Sequence, residues 1–169
     1  MKRLYLLRHA KSSWDEPGLA DRDRPLAPRG RRASKAMAGH VRDERIAPEL
    51  VLCSPSQRTR ETLERIGLDE RSEVRIEDDV YGASPGDLLE VLRRVPDSVG
   101  SAMLIGHNPS IQELALTLAA GGPDLDRVRE KFPTAALATL ELDGTWTQLA
   151  PGSAELVAFV KPKELSGSG

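Results

Sequence analysis

Two arginines and two histidines occur where chain segments remote in sequence can bring them together: Arg8-His9, Arg58 shortly after Ser54, and Gly106-His107-Asn108. A guanidinium is permanently charged and offers a planar fork of donors, which suits a dianionic phosphoryl group. A neutral imidazole can attack phosphorus while its second nitrogen is held by an acceptor, and water can then hydrolyse the phosphohistidine. A second imidazole, if protonated, would stabilise charge on the equatorial oxygens. The chemistry these residue types indicate is phosphoryl transfer.

Each group follows a short apolar run, Leu4–Leu7, Leu50–Cys53 or Ala102–Ile105, that reads as a buried strand. In an open parallel sheet the carboxyl ends of such strands share one edge, where ligands bind at the point of topological reversal. The intervening segments supply the crossovers. Arg29 to Arg45 has the apolar stripe of a helix, with Ala33, Ala36, Met37, Ala38 and Val41, and Pro48 closes the segment. Ser54-Pro55, Ser84-Pro85 and Asn108-Pro109 each look like a capping residue followed by a first-turn proline, and predict helices to about Ile66, to about Val95 and to Gly121-Gly122. The starts at Pro55 and Pro109 would add backbone N–H groups to a phosphate site.

Val74 to Ile76 is a further strand candidate, and Lys11 to Pro28 is polar and turn-rich, a long loop of the kind that carries function. At the C-terminal end, Ala136–Leu142, Trp146–Leu149 and Leu156–Val160 read as antiparallel strands separated by Asp143-Gly144 and Pro151-Gly152. The expected fold is α/β, a three-layer sandwich with a mostly parallel central sheet and an antiparallel C-terminal edge.

At 169 residues one domain is expected, over residues 1–162, with a flexible tail over 163–169. Lys plus Arg number 24 against 26 Asp plus Glu, a formal charge of −2, so nothing suggests nucleic acid as a bulk partner, and aromatics at 4% argue against base stacking. The single cysteine, Cys53, excludes an internal disulfide and a CxxC metal or redox motif. The apolar run Leu4–Leu7 is too short for a signal sequence or a membrane span. A cytoplasmic monomer without membrane partners is expected.

The run Leu7-Arg8-His9-Ala10-Lys11-Ser12-Ser13-Trp14, with Ser54-Pro55-Ser56-Gln57-Arg58-Thr59 and Gly106-His107-Asn108-Pro109, resembles the histidine phosphatase, or phosphoglycerate mutase-like, superfamily in both order and spacing. Within it the chain looks most like the small SixA-type phosphohistidine phosphatases, from Leu4 to about Pro162. The resemblance implies that His9 is the phosphorylated nucleophile and that Arg8, Arg58 and His107 form the phosphate pocket. Ser12 and Asn108, inside the same motifs, are candidates for holding substrate. It also implies a general acid in Glu77-Asp78-Asp79-Val80-Tyr81-Gly82, with Asp79 or Asp78 as candidate. Ala10 replaces a common glycine, and Asp15 stands where many members have Asn. A carboxylate there would repel phosphate unless the loop turns it outward or Lys11 offsets it.

The implied substrate is phosphohistidine in a partner protein. The alternatives are a small phosphate ester, such as a sugar or metabolite phosphate, and a non-catalytic phosphate-binding module. No cofactor is expected and no metal, since Arg and His already supply positive charge and no HExxH or Walker loop occurs. Cys53 cannot head the Cys-x5-Arg loop of cysteine phosphatases, because position 59 is Thr and Arg58 comes one residue early. His40 lacks partner signals and reads as an ordinary helix residue. The stretch Arg22, Arg24, Arg29, Arg31, Arg32, interleaved with Asp21 and Asp23, reads as solvated surface in preference to a docking face.

Overall fold

A computed structural model describes residues 1–165. The first apolar run becomes β1 (Lys2–Arg8), with Leu4, Tyr5, Leu6 and Leu7 all buried, as expected of a strand covered on both faces. It extends past the apolar run at both ends, because ladder partners satisfy the backbone of the flanking charged residues. Those partners are β4 (Ser101–Gly106), parallel from Arg3↔Ser101 to Arg8↔Gly106, and β6 (Leu137–Leu142), antiparallel from Lys2↔Leu142 to Leu7↔Leu137.

On the far side of β4 lie β2 (Leu50–Cys53) and β3 (Glu73–Ile76), both parallel. Beyond β6 come β7 (Ala154–Val160) and the short β5 (Ala119–Gly121), so the seven strands among the described residues run β3-β2-β4-β1-β6-β7-β5. The predominantly parallel sheet carries its antiparallel pairings on the C-terminal side, where β6 opposes β1 and β7.

Two helices, α1 (Pro28–Asp43) and α2 (Gln57–Ile66), pack on each other and cover one face through Met37, Val41 and Ile66 against Tyr5, Leu7, Val51 and Met103. The other face is covered by α3 (Pro85–Arg93), α4 (Ser110–Leu118) and α5 (Leu125–Glu130), with Leu88, Leu92, Ile111, Leu114 and Val128 against Leu4, Leu6, Leu52 and Leu104. The change of covering face between α2 and α3 places β4 between β1 and β2. Three neighbouring strands therefore end at one edge with His9, Ser54 and His107.

Several expectations need correction. Trp146–Leu149 is no strand: Trp146–Gln148 forms a 3-10 turn, which puts Trp146 and Leu149 on one buried side and Thr147 and Gln148 in solvent. Trp146 is fully buried, and its indole N–H donates to the Val99 carbonyl at 2.7 Å. The helix after Pro109 stops at Leu118, ahead of Gly121-Gly122, because Ala119–Gly121 pairs with β7. A charged segment not read as helix forms α5, anchored by Val128.

Proline does not occupy the first helical position at two of the three expected starts. The α2 helix is capped by Ser56, whose Oγ accepts from the Thr59 N–H, and α4 begins after Pro109. Ser84-Pro85 does open α3, with a reciprocal cap between Ser84 and Asp87. Lys163 and Glu164, expected in the tail, lie in a 3-10 turn instead; Glu164 pairs with Arg127 and Leu165 packs against the α1 side of the core. The remainder of that tail, 166–169, lies outside the described residues. No described helix is long and apolar enough to cross a membrane.

Candidate active site

At the shared strand edge the rings of His9 and His107 lie with centroids 5.3 Å apart, tilted by 52°. His9 is held just past β1 by its N–H donating to the Gly106 carbonyl and by the Ala135 N–H donating to the Arg8 and His9 carbonyls, each at 3.0 Å. Ala135 has φ 63°, a left-handed conformation costly for a residue with a Cβ, and it aims that N–H at both carbonyls. The next residue is fixed as well, since the Ala10 N–H donates to Thr62 Oγ1.

His9 Nδ1 is 2.7 Å from the Ala10 carbonyl. A carbonyl can only accept, so Nδ1 carries the proton and Nε2 carries the lone pair. Burial, with His107 and the guanidiniums of Arg58 and Arg8 adding to it, pushes the His9 pKa down to about 3 against the pull of that hydrogen bond. The ring is thus a neutral imidazole with a defined tautomer.

His107 follows β4. Its Nδ1 lies 3.5 Å from Arg58 Nη2 and its Nε2 lies 2.8 Å from Ser54 Oγ. Arginine can only donate, so Nδ1 accepts and Nε2–H donates to the serine. Burial and then Arg58 lower the His107 pKa to about 4. In the sequence reading this second imidazole would stabilise charge if protonated; in the free site the ring is neutral despite the opposing pull of Asp21, and an approaching anion would raise its proton affinity further.

Both arginines are anchored through protein acceptors. Arg8 Nη1 donates to the Phe132 carbonyl at 2.9 Å. Arg58, in the first turn of α2, donates from Nη1 to the Asp21 carbonyl at 2.8 Å and from Nη2 to Asp21 Oδ2 at 3.0 Å. The Nε of each is buried and has no hydrogen-bond partner among the described residues. Two N–H groups withdrawn from solvent without an acceptor are costly unless something else meets them.

Asp21 and Tyr81 were not among the sequence candidates. Asp21 Oδ2 also accepts from the Tyr81 hydroxyl at 2.7 Å, and these donors lower the Asp21 pKa to about 2. The Tyr81 ring stands edge-on to His107 at 5.6 Å. Arg24 is buried too: it reaches Asp21 and Ser12 Oγ, and the exposed Trp14 ring stacks on its guanidinium at 3.5 Å. The stretch read as solvated surface therefore buries Arg24, while Asp21, exposed like Arg22 and Asp23, bonds into the site through Arg58 and Tyr81.

The remaining candidates are placed as follows. Ser12 is buried against Arg24, and Asn108 donates to the Phe132 carbonyl at 3.1 Å, so both are engaged in holding loops together. Asp79 is exposed and pairs with Arg94 at 3.3 Å, and Asp78 lies 3.9 Å from Arg22; neither is among the partners of the histidine pair. Asp15 is exposed, which leaves its charge in solvent. Cys53 is fully buried and its thiol pKa is pushed up to about 12 by burial, the opposite of what a thiolate nucleophile requires. Among the described residues no group of three or more His, Cys, Asp or Glu is disposed to hold a metal ion.

Comparison with known proteins bears on the family and the fold. Residues 4–101 match the model of the histidine phosphatase superfamily (branch 1). An uncharacterized protein of Mycobacterium tuberculosis, Rv1276c, is 42% identical over 161 residues, which cover 93% of this chain and 100% of that protein. A structure from Nakamurella multipartitia assigned to phosphohistidine phosphatase SixA superimposes with a TM-score of 0.82 at 30% identity, over 95% of this chain and 96% of the other. The protein histidine phosphatase SixA complexed with tungstate superimposes at 0.78 with 25% identity, over 96% and 98% of the two chains.

Proposed function

The chain belongs to the histidine phosphatase superfamily, and from that premise we propose that it is a metal-independent phosphatase that removes phosphate from phosphohistidine in a partner protein, through a covalent intermediate on His9. The observation that carries this reading is the His9 ring, neutral and with its proton fixed on Nδ1 by the Ala10 carbonyl, beside Arg8, Arg58 and His107. In the proposed first step the Nε2 lone pair forms the N–P bond as the bond from phosphorus to the leaving nitrogen breaks. In the second, water attacks the phosphorus of phosphorylated His9, releasing inorganic phosphate and restoring the imidazole. Arg8 and Arg58 would hold the equatorial oxygens, and arrival of the dianion would raise the proton affinity of His107.

The choice of an N-linked phosphate follows from proton supply. The carboxyl bound to Arg58 is Asp21, held ionised by its donors and so unable to give a proton at neutral pH. A phosphorylated imidazole protonated from solvent on its free ring nitrogen leaves as neutral imidazole, whereas an alkoxide needs an acid positioned at the scissile oxygen. That the similar SixA structure is a complex with tungstate, an oxyanion as phosphate is, supports a pocket of this kind. The lone buried cysteine fits a reducing compartment, and the proposed place of action is the cytoplasm.

The test compares turnover of a phosphohistidine-bearing protein, a panel of sugar phosphates and p-nitrophenyl phosphate, each with His9→Ala as control. A kcat/KM for the phosphohistidine protein well above those for the esters, lost in His9→Ala, is expected. Preference for a small ester assigns a metabolite phosphatase instead, and binding of phosphate without any turnover assigns a binding module.

A further inference from the structure

We propose that the groove bordered by Lys11, Arg29, Lys131, Lys161 and Lys163 docks an acidic segment of the phosphoprotein substrate, an inference that rests on the protein phosphohistidine reading above. The groove has a volume of about 180 Å³ and is completed by Ala33, Pro133, Thr134 and Pro162, with no carboxylate in its lining. None of the five cations forms an ion pair among the described residues, although arginines elsewhere, such as Arg71, Arg93 and Arg127, are paired with nearby carboxylates. The acid beside it in sequence, Glu164, pairs with Arg127 through Oε2, and its Oε1 accepts from the Lys161 backbone N–H at 2.9 Å.

Five unpaired positive charges on one groove repel one another, and an anionic partner relieves that repulsion. In a chain of net charge −2 such a concentration is not a by-product of composition. Lysines dominate, four to one. Compact point charges on flexible stems suit several separate carboxylates better than the forked geometry of one phosphate, which Arg8 and Arg58 already serve.

The segments that build the groove are also those that build the phosphate pocket. Lys11 follows His9-Ala10 directly. Gly30 packs on the Lys11 backbone so closely that a Cβ there would come within 2.1 Å of the Lys11 carbonyl oxygen, which seats Arg29 and the start of α1 beside it. Lys131, Pro133 and Thr134 flank Phe132 and precede Ala135, whose backbone groups bond Arg8 and His9. A phosphohistidine presented on a protein arrives with flanking residues, and acidic ones among them meet these lysines.

Two synthetic phosphohistidine peptides, one flanked by Asp and Glu and one by Asn and Gln, together with p-nitrophenyl phosphate, separate the possibilities in the full chain. The expected KM for the acidic peptide is roughly tenfold below that for the neutral one, the gap closing at high salt. Lys131→Glu combined with Lys163→Glu should abolish or invert that preference and leave p-nitrophenyl phosphate turnover unchanged; Lys131→Ala with Lys163→Ala repeats the test should the reversals unfold the protein. Equal KM values in the parent chain, or equal loss on all three substrates, overturns the docking proposal while the phosphohistidine reading survives. Turnover of p-nitrophenyl phosphate alone overturns both. A small bisphosphate that outcompetes the acidic peptide and is sensitive to the same variants reassigns the groove to a second phosphate.

Discussion

At the scale of single residues, the unusual group in the site is Asp21, a carboxylate bonded to the guanidinium proposed to receive phosphate. It holds Arg58 partly through its own main-chain carbonyl, which a side-chain substitution leaves in place. Asp21→Asn should therefore keep Arg58 positioned while removing the competing charge, and tighten competitive inhibition by inorganic phosphate by about threefold or more. Weaker inhibition would mean that the carboxylate orients Arg58 in a way the amide cannot. The two rings give a second expectation. Their pKa values of about 3 and about 4 lie below the ordinary histidine value of about 6.5. The unfolded chain then binds protons that the folded chain refuses, so the stability associated with the neutral rings is complete above about pH 6.5 and is lost as pH falls toward those values. Urea unfolding from pH 7 to pH 4 should show this decline, and His107→Gln should shallow it; an unchanged slope would contradict the burial of the ring. Arg8, His9, Arg58 and His107 could be singled out from the sequence because each lies in a compact motif at or just after a strand end. Asp21 could not, since Asp21-Arg22-Asp23-Arg24 has the alternating signs of solvated surface and only the folded loop decides which of them bond into the site. Tyr81 was visible only as a landmark beside Gly82.

At the scale of elements, the site depends on how tightly α1 seats the loop after β1. Gly30 meets the Lys11 backbone where no side chain fits. Gly30→Ala should cost about 2 kcal/mol or more of stability and, by displacing Lys11 and with it His9, lower kcat as well. Ser84→Ala is the counterpart, removing the α3 cap remote from the rings; it should cost about 1 kcal/mol in urea unfolding and leave kcat unchanged. If both variants behave alike, the contact of Gly30 has no special bearing on the site. The buried parallel strands were legible because continuous apolar runs bounded by polar residues have few other uses. The segment Trp146–Leu149 misled, because a buried-exposed-exposed-buried order over four residues looks apolar enough for a strand and belongs to a 3-10 turn. The short strand Ala119–Gly121 had no signal of its own; it exists because β7 offers an unpaired edge.

At the scale of the whole molecule, the sheet order brings β1, β2 and β4 side by side, and that adjacency gathers the charges of Arg8 and Arg58 and the rings of His9 and His107 around one point. The α/β layering was legible from the alternation of runs, and the convergence followed from the edge that parallel strands share. The closeness of the C-terminal segment to the core was not, since Lys163–Leu165 reads as polar tail until Leu165 finds the α1 side. Because the positive charge at this point comes from side chains, turnover of p-nitrophenyl phosphate should be unaffected by excess EDTA; loss on chelation, restored by a divalent ion, would contradict the proposed chemistry. The nucleophile itself is tested most directly by label transfer from a radiolabelled phosphohistidine donor, with the protein quenched in alkali and the modified peptide mapped by mass spectrometry. An alkali-stable, acid-labile phosphate on His9, absent from His9→Ala, is the predicted result. Label on another side chain, or undiminished turnover by His9→Ala, would contradict it.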